Sequence, residues 1–293
     1  MQRLHSLSLT FLLIFMLFPA CSKPVTTPPK TNLNAYMPPL FEQNFIDYIP
    51  EDALNNIIKN NENTWDVSDV DVSYIDENRK LIAFTFDDTP AKTLENILTV
   101  FTSYNEENPD CKATASLFVN GGLISESSQH LLHLAYAYGF ELGNHTQNHR
   151  DLTTLTKEEL LAEIDTTDTI LEKIDGKKRH LLRAPFGRTN ELFKTVAGAP
   201  IIDWTIDTLD WTNIDAEKIT EQVMKEKFSG GIVLMHDGYQ GTVDALKQLL
   251  PALKAEGYQV VSVSAMAKMH NCVLKNGTTY IRARKKTGIA GMR

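Results

Sequence analysis

His145-Thr146-Gln147-Asn148-His149 sets two imidazoles four residues apart. That spacing brings both rings to one side of a turn, where they either satisfy local hydrogen bonds or share a metal ion. A third donor from elsewhere in the chain decides between the two readings, and Asp88 can supply it. Two histidines and one carboxylate leave coordination positions open for water and substrate. A divalent ion held there lowers the pKa of its water and polarises a carbonyl. Thr146 stands where the H-E-x-x-H zinc proteases need a glutamate, so that pattern fails. Asp87 and Asp88 are neighbours, and on extended backbone neighbours point apart. One can then bind metal while the other accepts a proton; the plain alternative is an acidic turn closing a strand. His236 follows an apolar run. A histidine there is either structural or, because it titrates near neutral pH, a general acid.

Apolar runs that read as strands alternate with helical stretches from about residue 69. The strand candidates are 81–86, 113–119, 140–143, 180–182, 200–206, 231–235 and 259–263. The helices fall near 91–104, 127–138, 156–174, 190–197, 215–228 and 242–255. Thr156 with Glu159 forms a capping-box pattern, and Asp215 is placed to cap the helix after it. Strand–helix alternation implies a parallel sheet, and about seven units imply an α/β fold of the distorted (β/α) barrel type. Each reactive cluster comes directly after a strand: Asp87 and Asp88, His145 and His149, Arg183, Asp207 with Asp210 and Trp211, and His236 with Asp237. In a barrel of parallel strands those positions converge on the C-terminal rim, where such barrels place active sites.

Thr85-Phe86-Asp87-Asp88, His145 to His149, Arg183-Ala184-Pro185-Phe186-Gly187, Asp207-Thr208-Leu209-Asp210-Trp211 and Leu234-Met235-His236-Asp237 together resemble the five ordered motifs of the polysaccharide deacetylases. These are carbohydrate esterase family 4, with a nodulation-deacetylase-type domain, and the resemblance covers roughly residues 69–270. Any one motif is loose; all five in order are specific. The resemblance implies that Asp87 is the catalytic base and that Asp88, His145 and His149 are the metal ligands. It implies that Arg183 holds Asp87 charged, that the Phe186 N–H helps stabilise an oxyanion, and that His236, oriented by Asp210, protonates the leaving group. Trp211 and Leu234 would wall a pocket for the acetyl methyl; core packing is their plain reading. The implied cofactor is one divalent ion, zinc first, with cobalt, nickel or manganese as alternatives. Two positions depart from the family pattern: Thr89-Pro90 replaces Gly-Pro, and Phe186 stands where tyrosine is common.

The implied activity is N-deacetylation of N-acetylglucosamine units in peptidoglycan or chitin-like glycans. An acetyl xylan esterase is the neighbouring alternative, and an inactive lipid-anchored glycan binder is the alternative of another class. A net charge of −8 lacks the basic footprint of a nucleic-acid binder. Leu7–Phe18 is an apolar run too short to span a bilayer and suited to a signal peptide. It ends in Phe18-Pro19-Ala20-Cys21, which resembles a bacterial lipobox and implies an exported chain anchored to the cell membrane through lipid on Cys21. The expected organisation is a signal segment 1–21, a Pro/Thr-rich tether 22–40, a helical preamble 41–68, the catalytic domain 69–270 and a basic tail 271–293. Cys111 and Cys272 form either a disulfide or two unpaired thiols.

Overall fold

The computed structural model describes residues 63–212 and 214–283. The expected signal segment, the tether, most of the preamble, Cys21 and the last ten residues lie outside them. In chain order the elements are β1 (Lys80–Thr89), α1 (Leu94–Glu107), β2 (Ser116–Val119), α2 (Glu126–Ala137), β3 (Glu141–Asn144), α3 (Lys157–Asp175), α4 (Glu191–Val196), β4 (Ile201–Ile202), β5 (Ile206–Asp207), α5 (Ala216–Glu226), β6 (Ile232–His236), α6 (Gln240–Ala255), β7 (Tyr258–Val261), α7 (Val263–Met269) and β8 (Thr279–Tyr280). Every strand pairing in the sheet is parallel, in the order β3-β2-β1-β6-β5, with β7 also on β1. Leu182 carries the ring onward through parallel bridges to Asn144 and to Ile201.

Strand periodicity divides the core. Ile82, Phe84 and Phe86 of β1, with Val233 and Met235 of β6, pack under the helices. Leu81, Ala83 and Ile232 face the opposite side, with Phe118, Ile202 and Val261. By the two-residue alternation, Thr85 and Asp87 continue the inward lane of β1. Leu234 and His236 continue that of β6, in register with Thr85 and Asp87 respectively. The apolar wall of the interior therefore runs straight into the polar rim. Fully burying each Leu, Ile or Phe of these strands contributes about 1.5–3 kcal/mol.

Several expectations are corrected. Residues 180–182 make no strand; only Leu182 is bridged. The run 200–206 is a strand broken in two: β4 pairs with β8, and β5 pairs with β6. Asp203 stands at the break, where the pairing passes from one neighbour to the next. The strand expected to reach Val263 stops at Val261, because Ser262 accepts the Ala265 N–H and starts α7. Residues 271–283 are not a tail. Cys272, Leu274, Tyr280 and Ala283 are buried in the inner core, and β8 pairs with β4. Thr64 bridges Lys275 antiparallel, so residues 63–68 belong to the domain and are not helical. Thr156 forms the expected capping box with Glu159. Asp215 occupies the N-cap without a side-chain cap bond; its carboxylate faces Lys218 at 3.6 Å. Cys111 and Cys272 are both buried and are not joined in a disulfide.

Candidate active site

Asp87 ends the inward lane of β1 and is buried. Its Oδ1 accepts from Arg183 Nη1 at 2.8 Å. Arg183 is itself fully buried, with Phe118 against its guanidinium at 4.1 Å. It also donates to Thr85 Oγ1 at 2.7 Å, to the Ile202 carbonyl at 2.8 Å and to the Asp203 carbonyl at 3.3 Å. Burial alone would raise the Asp87 pKa, but Arg183 above all, with His145 and His236 behind it, holds it below the usual carboxylate value. Asp87 is thus kept ionised.

The separation of Asp88 from Asp87 has a different origin from the extended pleat. Asp88 takes φ 59°, which swings it out of the strand, and it is followed by a cis Thr89–Pro90 bond. Its Oδ1 lies 3.5 Å from His149 Nε2 and 3.9 Å from His145 Nε2. Donor atoms of the three residues all lie within 4.8 Å of one another. Two donors bound at about 2.1 Å to one tetrahedral ion are about 3.4 Å apart, so this set fits a divalent ion with little adjustment. The tautomers fit as well. His145 Nδ1 lies 2.8 Å from the Arg183 carbonyl, which can only accept. The proton therefore sits on Nδ1, and Nε2 keeps its lone pair for the ion. Burial, then the neighbouring His145, push the His149 imidazole below its ordinary pKa against the pull of Asp88 and Asp87. A neutral imidazole is the form that ligates.

His236 stands at the end of β6, and Asp210 fixes it twice. Asp210 Oδ1 is 2.8 Å from His236 Nδ1, and Oδ2 accepts the His236 backbone N–H at 2.8 Å. Thr242 Oγ1 donates to the same Oδ2 at 2.6 Å. Burial works against protonation of His236, but the bond and charge of Asp210, aided by Asp87 and Asp88, push it up to about 9. His236 is thereby held protonated at neutral pH.

Phe186 is 45% exposed at φ 62°, its ring edge-on to His149 at 4.7 Å. The next residue has to be glycine: at φ 63° a Cβ on Gly187 would meet the Trp204 ring at 2.9 Å. Leu234 is buried in the inward lane below His236. Trp211 lies half-buried in the short turn Asp210–Thr212. Of the other rim carboxylates, Asp237 binds the backbone N–H and hydroxyl of Thr93 at 3.0 and 2.6 Å, tying β6 to the start of α1. Asp207 accepts the Leu209 N–H at 2.9 Å.

Sequence reasoning missed three buried carboxylates, Asp203, Glu163 and Asp168. Asp203 lies beside Arg183; burial first, and Asp87's charge after it, push its carboxyl up to about 7 against the pull of Arg183, and its Oδ1 has no hydrogen-bond partner among the described residues. Glu163 on α3 accepts from Asn148 in the loop of His145 and His149. The signal for Glu163 was present, because it falls on the stripe Leu160-Ile164-Leu171 that α3 turns to the core.

Residues 75–199 match the family described as polysaccharide deacetylase. The chain is 33% identical over 196 residues to the peptidoglycan-N-acetylmuramic acid deacetylase PdaC of Bacillus subtilis; the aligned part is 67% of this chain and 40% of that protein. It is 35% identical over 214 residues to a peptidoglycan-N-acetylglucosamine deacetylase of Bacillus cereus, covering 70% of this chain and 92% of the relative. The solved structure of the Bacillus subtilis PdaC deacetylase superposes with a TM-score of 0.61 at 33% identity, over 67% of this chain and 93% of that one. With the fold, the ordered motifs and relatives of this similarity in agreement, the chain belongs to the polysaccharide deacetylase family.

Proposed function

We propose that this chain hydrolyses acetyl groups on a polysaccharide, and that its substrates are N-acetylated units of peptidoglycan or chitin-like glycans. The observation that carries the reading is the pairing of an ionised Asp87 with a protonated His236 at the rim that also presents Asp88, His145 and His149. A divalent ion bound by those three residues, with zinc the leading choice and cobalt, nickel or manganese as alternatives, supplies Lewis-acid polarisation and a water of lowered pKa. Asp87 Oδ2 takes the proton of the attacking water while Arg183 keeps Oδ1. The Phe186 N–H donates to the developing oxyanion. His236, its Nδ1 committed to Asp210, delivers a proton from Nε2 to the departing nitrogen. Leu234 and Trp211 bound the space for the acetyl methyl. An amine leaving group needs that proton more than an alkoxide does, which favours the amide over the ester.

Acetate release from peptidoglycan, N-acetylglucosamine oligomers and acetylated xylan, measured side by side before and after chelation, tests this. Release from the N-acetylated substrates, lost on chelation and restored by a divalent ion, is expected. Release from xylan alone moves the chain to the esterases, and full activity in a verified metal-free sample sinks the metal reading. Export and lipid attachment at Cys21 belong to the same proposal, supported by the apolar run ending in Ala20-Cys21. Expressed in a bacterium that processes lipoproteins, the chain should partition with membranes and Cys21→Ser should not; a mature N-terminus beyond Cys21 without lipid refutes it.

A further inference from the structure

Helix α3 turns an edge of hydrogen-bonding groups toward the loop that carries both histidine ligands. Glu163 is 2% exposed, beside Leu160 and Ile164 on the buried face of the helix. Its Oε2 accepts the Asn148 backbone N–H at 2.7 Å, and its Oε1 accepts from Asn148 Nδ2 at 2.9 Å. Its own carbonyl accepts the Gln147 N–H at 3.0 Å. One turn further, Thr167 Oγ1 donates to Gln147 Oε1 at 3.2 Å. Asn144 Nδ2 donates to the Ile164 carbonyl and to Asp168 Oδ1, each at 2.9 Å. The residues flanking His145 and His149 are therefore tied to neighbouring positions of one helix face.

The loop needs that tie. Thr146 and His149 both take left-handed backbone, with φ 69° and 52°, a conformation that persists in non-glycine residues only where the surroundings over-determine it. A buried carboxylate is a costly way to fill core space. Here both its oxygens are spent on Asn148, the residue that precedes His149. We propose that Glu163 is a positioning residue for the metal centre: through Asn148 it fixes the backbone of His149 so that Nε2 meets Asp88 and His145. The inference rests on the metal reading given above.

Zinc and cobalt affinities of the full chain, of Glu163→Gln, of Asn148→Ala and of the double variant test it, together with the visible spectrum of bound cobalt. Glutamine offers one acceptor where two donors point, so Glu163→Gln should weaken binding about 10- to 100-fold, the usual effect of disturbing a group that orients a ligand. The cobalt spectrum should change with it. Asn148 is exposed, so its alanine variant should fold and still lose several-fold in affinity. The double variant should be no worse than Glu163→Gln, because both act through the same bonds. Unchanged affinity and spectrum in the folded variants, with only a lower unfolding midpoint of the metal-free chain, would overturn the inference and leave Glu163 a core residue. If Glu163→Gln does not fold, unchanged binding by Asn148→Ala overturns it equally. An unmodified chain that takes up no divalent ion refutes the metal reading itself, an outcome separate from either of these.

Discussion

Asp87→Asn keeps the shape of the side chain and removes its charge, and two separable losses should follow. Turnover should fall about 100- to 10,000-fold, the usual worth of a general base. Ion content should hold, since Asp88, His145 and His149 are untouched. The second loss is in stability. Arg183 is fully buried and Asp87 is bonded to its Nη1; removing the charged partner of such a pair costs about 3–5 kcal/mol. The asparagine oxygen still accepts, and Thr85, Ile202 and the Asp203 carbonyl continue to do so, which places the loss at about 3 kcal/mol.

That deficit should depend on pH through Asp203. In the unmodified chain the Asp203 carboxyl, pushed up to about 7, is neutral at pH 5. A raised carboxyl costs stability as pH climbs from its unfolded value of about 4 through the folded one. With Asp87 neutral, one of the influences holding Asp203 up is gone. Asp203 then ionises at lower pH and becomes the counterion of Arg183. The deficit of Asp87→Asn should be largest near pH 5 and smaller at pH 8, and the Asp87→Asn/Asp203→Asn double variant should show no such recovery. Urea unfolding in chelator at the two pH values, with metal analysis and acetate release, reads all of this. An equal deficit at both pH values refutes the counterion argument. Near wild-type turnover refutes Asp87 as base, and loss of metal from Asp87→Asn but not from Asp88→Asn reverses the two roles.

Asp210→Asn removes the strongest support of the raised His236 pKa; with an ordinary value near 6.5, only about 3% of the acid is protonated at pH 8, so acetate release there should drop about 30-fold and recover toward pH 6. A profile that keeps its shape would show that His236 is not the acid. His180 lies between Asp168 Oδ1 at 2.8 Å and Asp175 at 3.2 Å; burial opposes its charge, but the two carboxylates push it up to about 8. Its stabilisation is full below about pH 6.5 and lost as pH rises through 8, about 2 kcal/mol in all, and His180→Gln should flatten that part of the unfolding free energy against pH. Gly143→Ala should lower the thermal midpoint by several degrees, since the added Cβ would meet the Phe118 ring at 2.7 Å and the Leu181 carbonyl at 3.2 Å; an unchanged midpoint would show that the ring gives way freely.

The rim was legible because its residues follow apolar strands and fall in five compact motifs, and the strands announced themselves by long buried runs such as Leu81–Phe86. Features set by tertiary pairing were not legible. The break at Asp203 exists because β4 and β5 bond to opposite neighbours, and nothing in Ile201-Ile202-Asp203-Trp204 fixes that. β8 is two residues long, below what periodicity can register, so the segment that seals the inner core read as a tail. The divergence of Asp87 and Asp88 was expected from the pleat and arises from a left-handed Asp88. Single backbone angles of this kind leave no trace in residue type when the residue is not glycine.

The placement of β1 has a consequence for how the chain comes into being. Its ten residues include an almost unbroken buried run, and it is paired along its length to β2, β6 and β7. Two of those partners are made late: Val261 follows Thr89 by roughly 170 residues. When the chain is made in a cytoplasm without the proposed export segment, at about 5–20 residues per second, β1 waits roughly 10–30 s on the nascent chain with one neighbour of its eventual three. During that interval Leu81-Ile82-Ala83-Phe84 is an open strand edge, the kind of surface that joins other chains. Folding is then governed by closure of contacts distant in sequence, which makes it slow. Yield in a host should accordingly track chaperone supply and temperature during synthesis more than the stability of the finished barrel.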